Sequence, residues 1–95
     1  MNLKNNENEI RRIAEEKAKK YNLEWEQISQ RMLQVRALES TNSVVVTIHT
    51  EIHPDLNQSF KFQGELAAEI EGQFENVKVV EFGDWFQLQV PVPVV

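Results

Sequence analysis

The chain has 95 residues, 41% of them apolar, with no cysteine and a formal net charge of −5. That length suits one domain over residues 1–95, and the apolar share is enough for a core, which sets the chain apart from disordered sequences. Without cysteine there is no disulfide and no thiolate metal site, and the composition leans towards a reducing, cytoplasmic setting. The polar start, Met1 to Glu9, does not read as a secretory signal. No run approaches the roughly 18 apolar residues that a membrane span needs.

Charge is unevenly spread. Residues 1–40 carry eight Lys/Arg against seven Glu, whereas residues 41–95 carry Lys61 and Lys78 against eight acids. An acidic second half repels phosphate, which argues against nucleic acid as a partner. The one basic cluster, Lys17, Lys19 and Lys20, alternates with Glu15 and Glu16 as on a solvated helix face.

The first forty residues contain no strand-like run. Asn6 followed by Glu9 suits a helix start, and Ile10, Ile13, Ala14, Lys17, Ala18 and Tyr21 form a helical stripe. Trp25, Ile28, Met32 and Val35 repeat it. From Ala14 to Val35 the apolar spacing is 4, 3, 4, 3, 4, 3, a heptad seam. One continuous helix over residues 6–38 would be about 50 Å long and would protrude from a domain about 26 Å across, so its seam would need a partner chain. A break at Asn22 would instead fold two helices into a hairpin. The same stripe also suits packing on a sheet. Tyr21, Trp25, Ile28 and Met32 are the candidate interface residues of this segment, and a homodimer is the expected assembly.

Residues 43–95 read as a β-α-β-β unit. A strand is predicted from Ser43 to His53, with Val44, Val46, Ile48 and Ile52 facing the core and Val45, Thr47, His49, Glu51 and His53 facing away. Pro54-Asp55 stops it. A helix is predicted from Phe60 to Phe74, with Ser59 as a candidate cap and Phe62, Leu66, Ile70 and Phe74 recurring every four residues. Two further strands, residues 77–82 and 85–92, flank Gly83-Asp84, a two-residue hairpin signal. Phe86, Leu88, Val90 and Val92 share a face. Pro91 and Pro93 lie two apart, so their missing N–H groups leave that end closed to pairing on one side. The expected fold is therefore α+β: a long N-terminal helix or helical hairpin, then a small three-stranded sheet covered by helices on one face.

Both histidines lie within His49-Thr50-Glu51-Ile52-His53-Pro54-Asp55. His49, Glu51 and His53 are acceptable ligands for a divalent ion, and strand neighbours two apart, at roughly 6.6 Å, can meet on one ion. His49 and His53 are roughly 13 Å apart on an extended strand and need a bend to share it. Val46-Thr47-Ile48-His49, then Asp55-Leu56 and the amphipathic helix, resemble part of the cytoplasmic domain of cation diffusion facilitators over residues 43–74. That resemblance implies His49 as a metal-ligand candidate. The long helical N-terminus and the lack of membrane spans depart from that family, so the likeness is taken as shared α+β patterning.

Catalysis has no visible constellation. No serine lies in a nucleophile elbow, Gly64 and Gly72 form no phosphate loop, and no carboxylate pair has a local reason to be perturbed. Trp85 lies opposite the apolar side of its strand, beside Gln87 and Gln89, and is a candidate partner anchor. The sequence thus reads as a non-catalytic protein-interaction or regulatory domain without a cofactor, self-associating through the helical segment. The alternative is a metal-responsive module built on the histidine stretch.

Overall fold

A computed structural model describes residues 3–93. Helix α1 spans Leu3–Lys20 and buries Ile10, Ile13, Ala14 and Ala18. Of the two courses open to the N-terminal segment it takes the break at Asn22: Asn22 takes φ +58°, the Leu23 N–H donates to the Ala18 carbonyl at 2.9 Å, and the Asn22 N–H donates to that of Lys19 at 3.0 Å. This is a Schellman ending with asparagine in the left-handed position, where its short polar side chain is tolerated. Helix α2 follows over Trp25–Arg31 and buries Ile28.

The N-terminal segment then departs from the helical expectation for residues 6–38. Leu33–Leu38 is a strand, β1, and the sheet has four strands where three were expected. Its residues are mostly good helix formers, but Leu33 and Val35 are buried and alternate with exposed Gln34 and Arg36. Leu33 pairs with Ile48 and Val35 with Val46 on β2, which runs Ser43–His49. A neighbouring ladder and a period-2 apolar face override a weak local helix preference.

Helix α3 covers Leu56–Gln73, starting earlier than predicted. Its cap is Asp55, whose carboxylate accepts from the Asn57 and Gln58 N–H groups. Ser59 is instead fully buried, and its hydroxyl donates to the Thr50 carbonyl at 2.6 Å. Strands β3 (Lys78–Phe82) and β4 (Trp85–Pro91) form the predicted hairpin, with Gly83 at φ +57°.

All pairings are antiparallel and the order is β1-β2-β4-β3. Val44, Val46, Ile48, Leu88 and Val90 point to one side and join Ile10, Ile13, Phe62, Leu66 and Ile70 in a single core. The helices cover that side. α1 packs on β1 and β2 and beside α3, which leaves α3 over the β4 half. The other side carries Gln34, Arg36, Val45, Thr47, His49, Trp85, Gln87 and Gln89, and the buried apolar residues of the described helices all join the core on the opposite side.

β4 is an inner strand. The Val92 N–H donates to the Asn42 carbonyl at 2.9 Å, on the β2 side. By alternation the nitrogens of Pro91 and Pro93 face the β3 side, where the ladder has already ended at Lys78–Gln89.

Candidate interaction surface

The predicted strand to His53 stops at His49. The chain turns there, with the Thr50 N–H donating to the Asp84 carbonyl at 2.9 Å and the Ile52 N–H to that of His49 at 3.1 Å. Each imidazole is used locally: His49 Nδ1 accepts from the Glu51 N–H at 3.0 Å, and His53 Nδ1 from the Asp55 N–H at 2.9 Å. His49 also meets Trp85 edge to face at 4.8 Å between ring centres. The turn replaces the extended strand on which the three side chains would have shared a face. Among the described residues no three His, Asp or Glu side chains gather as a metal site, so His49, Glu51 and His53 are not brought together as one.

The heptad seam is resolved in favour of the chain's own core. Ala14, Ala18, Tyr21, Ile28 and Val35 are buried, and Trp25 and Met32 pack against that core while half-buried. Tyr21 stands edge-on to Phe62 at 5.8 Å, and its hydroxyl donates to Glu65 of α3. Lys20 Nζ reaches the same carboxylate at 2.7 Å, and Lys17 Nζ reaches Glu69 at 3.1 Å. These contacts hold Glu65 well below the ordinary carboxylate range, at about 2, with the hydrogen bonds from Lys20 and Tyr21 as the main cause. The Tyr21 hydroxyl is pushed up in turn, chiefly by its bond to Glu65. The cluster ties one flank of α3 to α1.

The opposite flank of α3 is different. At about 100° per residue, Leu56, Phe60, Ala67 and Phe74 lie on the side away from Glu65 and Glu69, and hence towards β3. Leu56 is 54% exposed and Phe60 55%. β3 is exposed along its length: Lys78, Val79, Glu81 and Phe82 are all exposed and Val80 is half-buried. Val79 and Phe82 are 43% and 48% exposed. Between the start of α1, the end of α3 and the end of β4 lies a cleft of about 530 Å³ lined by Asn6, Gln73, Phe74, Asn76, Pro91 and Val92 among others.

The two outer edges of the sheet are treated unequally. On β1 the Arg11 guanidinium donates to the Val35 carbonyl at 2.8 Å, and Glu7 Oε2 accepts from the Ala37 N–H at 3.3 Å. On β3 the alternation set by Val92 and Asn42 turns Lys78, Val80 and Phe82 towards β4 and aims the N–H and C=O of Val79 and Glu81 outward. No group among the described residues pairs with those four.

Trp85 sits half-buried on the sheet face opposite the core, next to Phe82. Leu56, Phe60, Val79 and Phe82 were not singled out from sequence as surface residues. One signal was present for Phe60. Once Phe62 belongs to the buried stripe, Phe60, two residues earlier on the same helix, is turned about 200° away from it. Among the described residues no helix is long and apolar enough to cross a membrane. No family model matches the chain, and neither curated proteins nor solved structures give a match.

Proposed function

We propose that this chain is a small non-catalytic protein-interaction domain of the cytoplasm, and that its interaction surface is the α3–β3 side. The observation that carries this is a set of exposed apolar side chains, Leu56 and Phe60 on the flank of α3 away from α1 and Val79 and Phe82 on β3, together with a strand edge whose outward backbone groups have no partner among the described residues. Apolar side chains beside an open edge are a liability in a lone molecule and a recognition device in a paired one, where strand addition supplies backbone hydrogen bonds and the side chains supply selectivity. The self-association expected from the helical seam moves, in this reading, to a different element, because the seam residues lie inward. The cysteine-free composition supports the compartment.

The test is recovery of bound proteins from the native cells with the tagged full chain, against the Phe60→Lys, Val79→Lys double variant. The unaltered chain should recover a partner, either another protein or a differently tagged second copy, and the double variant should lose it while keeping the same circular dichroism spectrum. Equal recovery by both, or none by either, would overturn the reading.

A further inference from the structure

Resting on that reading and naming its occupant, we infer that the α3–β3 surface receives a second copy of this chain, with the two β3 strands pairing antiparallel about a two-fold axis through Val80. The outward groups of β3 belong to two residues, Val79 and Glu81, placed symmetrically about Val80. A two-fold axis perpendicular to the sheet at Val80 sets Val79 opposite Glu81 of the partner subunit, and the reverse. Each of these is a hydrogen-bonded pair, so all four outward groups are used.

The register is selected by length and charge. Only the pairing centred on Val80 matches all five residues of Lys78–Phe82 with one another. It places Lys78 opposite Phe82 of the partner subunit, Val80 opposite Val80 of the partner subunit, and no like charges directly opposite. Moving the axis to Glu81 would oppose two carboxylates, which destabilises a ladder.

A second copy fits better than an isolated extended peptide because the exposed apolar groups lie on both sides of β3. Phe82 is on the sheet face opposite the core, whereas Val79 shares the helix side with the α3 flank that carries Phe60. A lone strand covers the edge. A second copy also brings its own α3 flank over Val79 and its own β3 beside Phe82. This matters for size: at roughly 150–250 Å² per aromatic side chain, the half-exposed Phe60 and Phe82 together offer roughly 200 Å². The strand edge must be joined by the helix flank to approach the roughly 800 Å² per partner of a standard interface.

β1 is the less accessible edge: Arg11 and Glu7 take the Val35 carbonyl and the Ala37 N–H, and Leu33 and Val35 are buried, which disfavours head-to-tail growth of the sheet and lets the self-pairing of β3 close on itself.

The purified full chain tests this without a foreign partner. At about 100 µM, above the micromolar dissociation constant expected of a small interface, sedimentation should give twice the monomer mass. Val79→Pro removes an outward N–H and leaves the β4 ladder untouched, so it should weaken association by about tenfold or more with the fold retained. Phe60→Lys should weaken it through the helix flank, which keeps the test open should the proline variant fail to fold. The chain has no cysteine, so Val80→Cys creates a single thiol on the axis. Opposed residues of a non-hydrogen-bonded pair lie about 4.5 Å apart between Cα atoms, within disulfide reach. Val80→Cys should therefore cross-link to a dimer under mild oxidation far faster than Leu38→Cys, an exposed control on β1. A monomer at that concentration overturns the second copy, even where Phe60 and Val79 prove necessary for binding some other protein. A dimer that is indifferent to Val79→Pro and Phe60→Lys and does not cross-link at Val80→Cys overturns the placement.

Discussion

The Arg11 guanidinium on α1 donates to the carbonyl of Val35 at 2.8 Å, across the outer edge of β1. Glu7, one turn earlier, accepts from the Ala37 N–H and lies 3.5 Å from Arg11. A donor and an acceptor on one helix face thus take the place of a neighbouring strand, as edge strands require if they are not to recruit one.

Removing that cover should have two separable effects. Arg11→Ala should lower stability by about 1 kcal/mol, the usual net value of a partly exposed hydrogen bond, measured by urea unfolding. Glu7→Ala should speed exchange of the Ala37 amide with solvent. The Arg11→Ala, Glu7→Ala double variant should form assemblies larger than those of the parent chain, seen by light scattering. Unchanged exchange and unchanged assembly size would show that the two side chains do not guard the edge.

Glu65 makes stability depend on acid in a defined window. Its carboxyl is held at about 2 in the folded chain by the hydrogen bonds from Lys20 and Tyr21, against an ordinary 4.5. A lowered folded value means the contribution is complete above about 4.5 and is lost as pH falls towards 2. Glu65→Gln should therefore have a lower melting temperature than the parent at pH 7, and the two should converge as pH drops from 4.5 to 2. Parallel melting curves across that range would remove Glu65 from the account. At the alkaline end Tyr21 and Lys20 are raised by the same partner, so their contribution holds at neutral pH and is lost as pH rises above 10.

The start of α3 separates two roles that its sequence runs together. Asp55 caps the helix, and Asp55→Ala should cost about 1 kcal/mol. Ser59 is buried with its hydroxyl on the Thr50 carbonyl, and Gln63 Nε2 reaches that carbonyl and the Ser59 oxygen, both at 3.2 Å. Ser59→Ala leaves the Gln63 amide to satisfy Thr50, so its cost should be about 1–2 kcal/mol. Gln63→Leu on top of it strands the carbonyl and should cost clearly more than the two single changes added together, in a denaturant double-mutant cycle.

Periodicity carried the parts of this fold that short segments decide. Val44, Val46 and Ile48 alternate and are buried; Phe62, Leu66 and Ile70 recur every four residues and are buried; Gly83 takes the positive φ that its hairpin needs. In each case the preference lies within a few residues of chain, so an α+β domain with a C-terminal hairpin and an α3 core stripe was legible from local pattern. It also marked Asn22 as the point where the N-terminal helix could stop, without deciding that it does.

Three matters were left to tertiary structure. Leu33–Leu38 is a strand because β2 offers it a ladder, and its own residues prefer a helix. The heptad seam from Ala14 to Val35 is consistent with both a partner and a core, and it became core because the turn at Asn22 folds it over the sheet. His49, Glu51 and His53 have ligand spacing on paper, but the turn after His49 engages both imidazoles with backbone N–H groups, and no three-ligand group forms among the described residues. Spacing states which side chains share a face. Which face is covered, and which is left open as on Phe60 and Val79, depends on where residues distant in sequence come to lie.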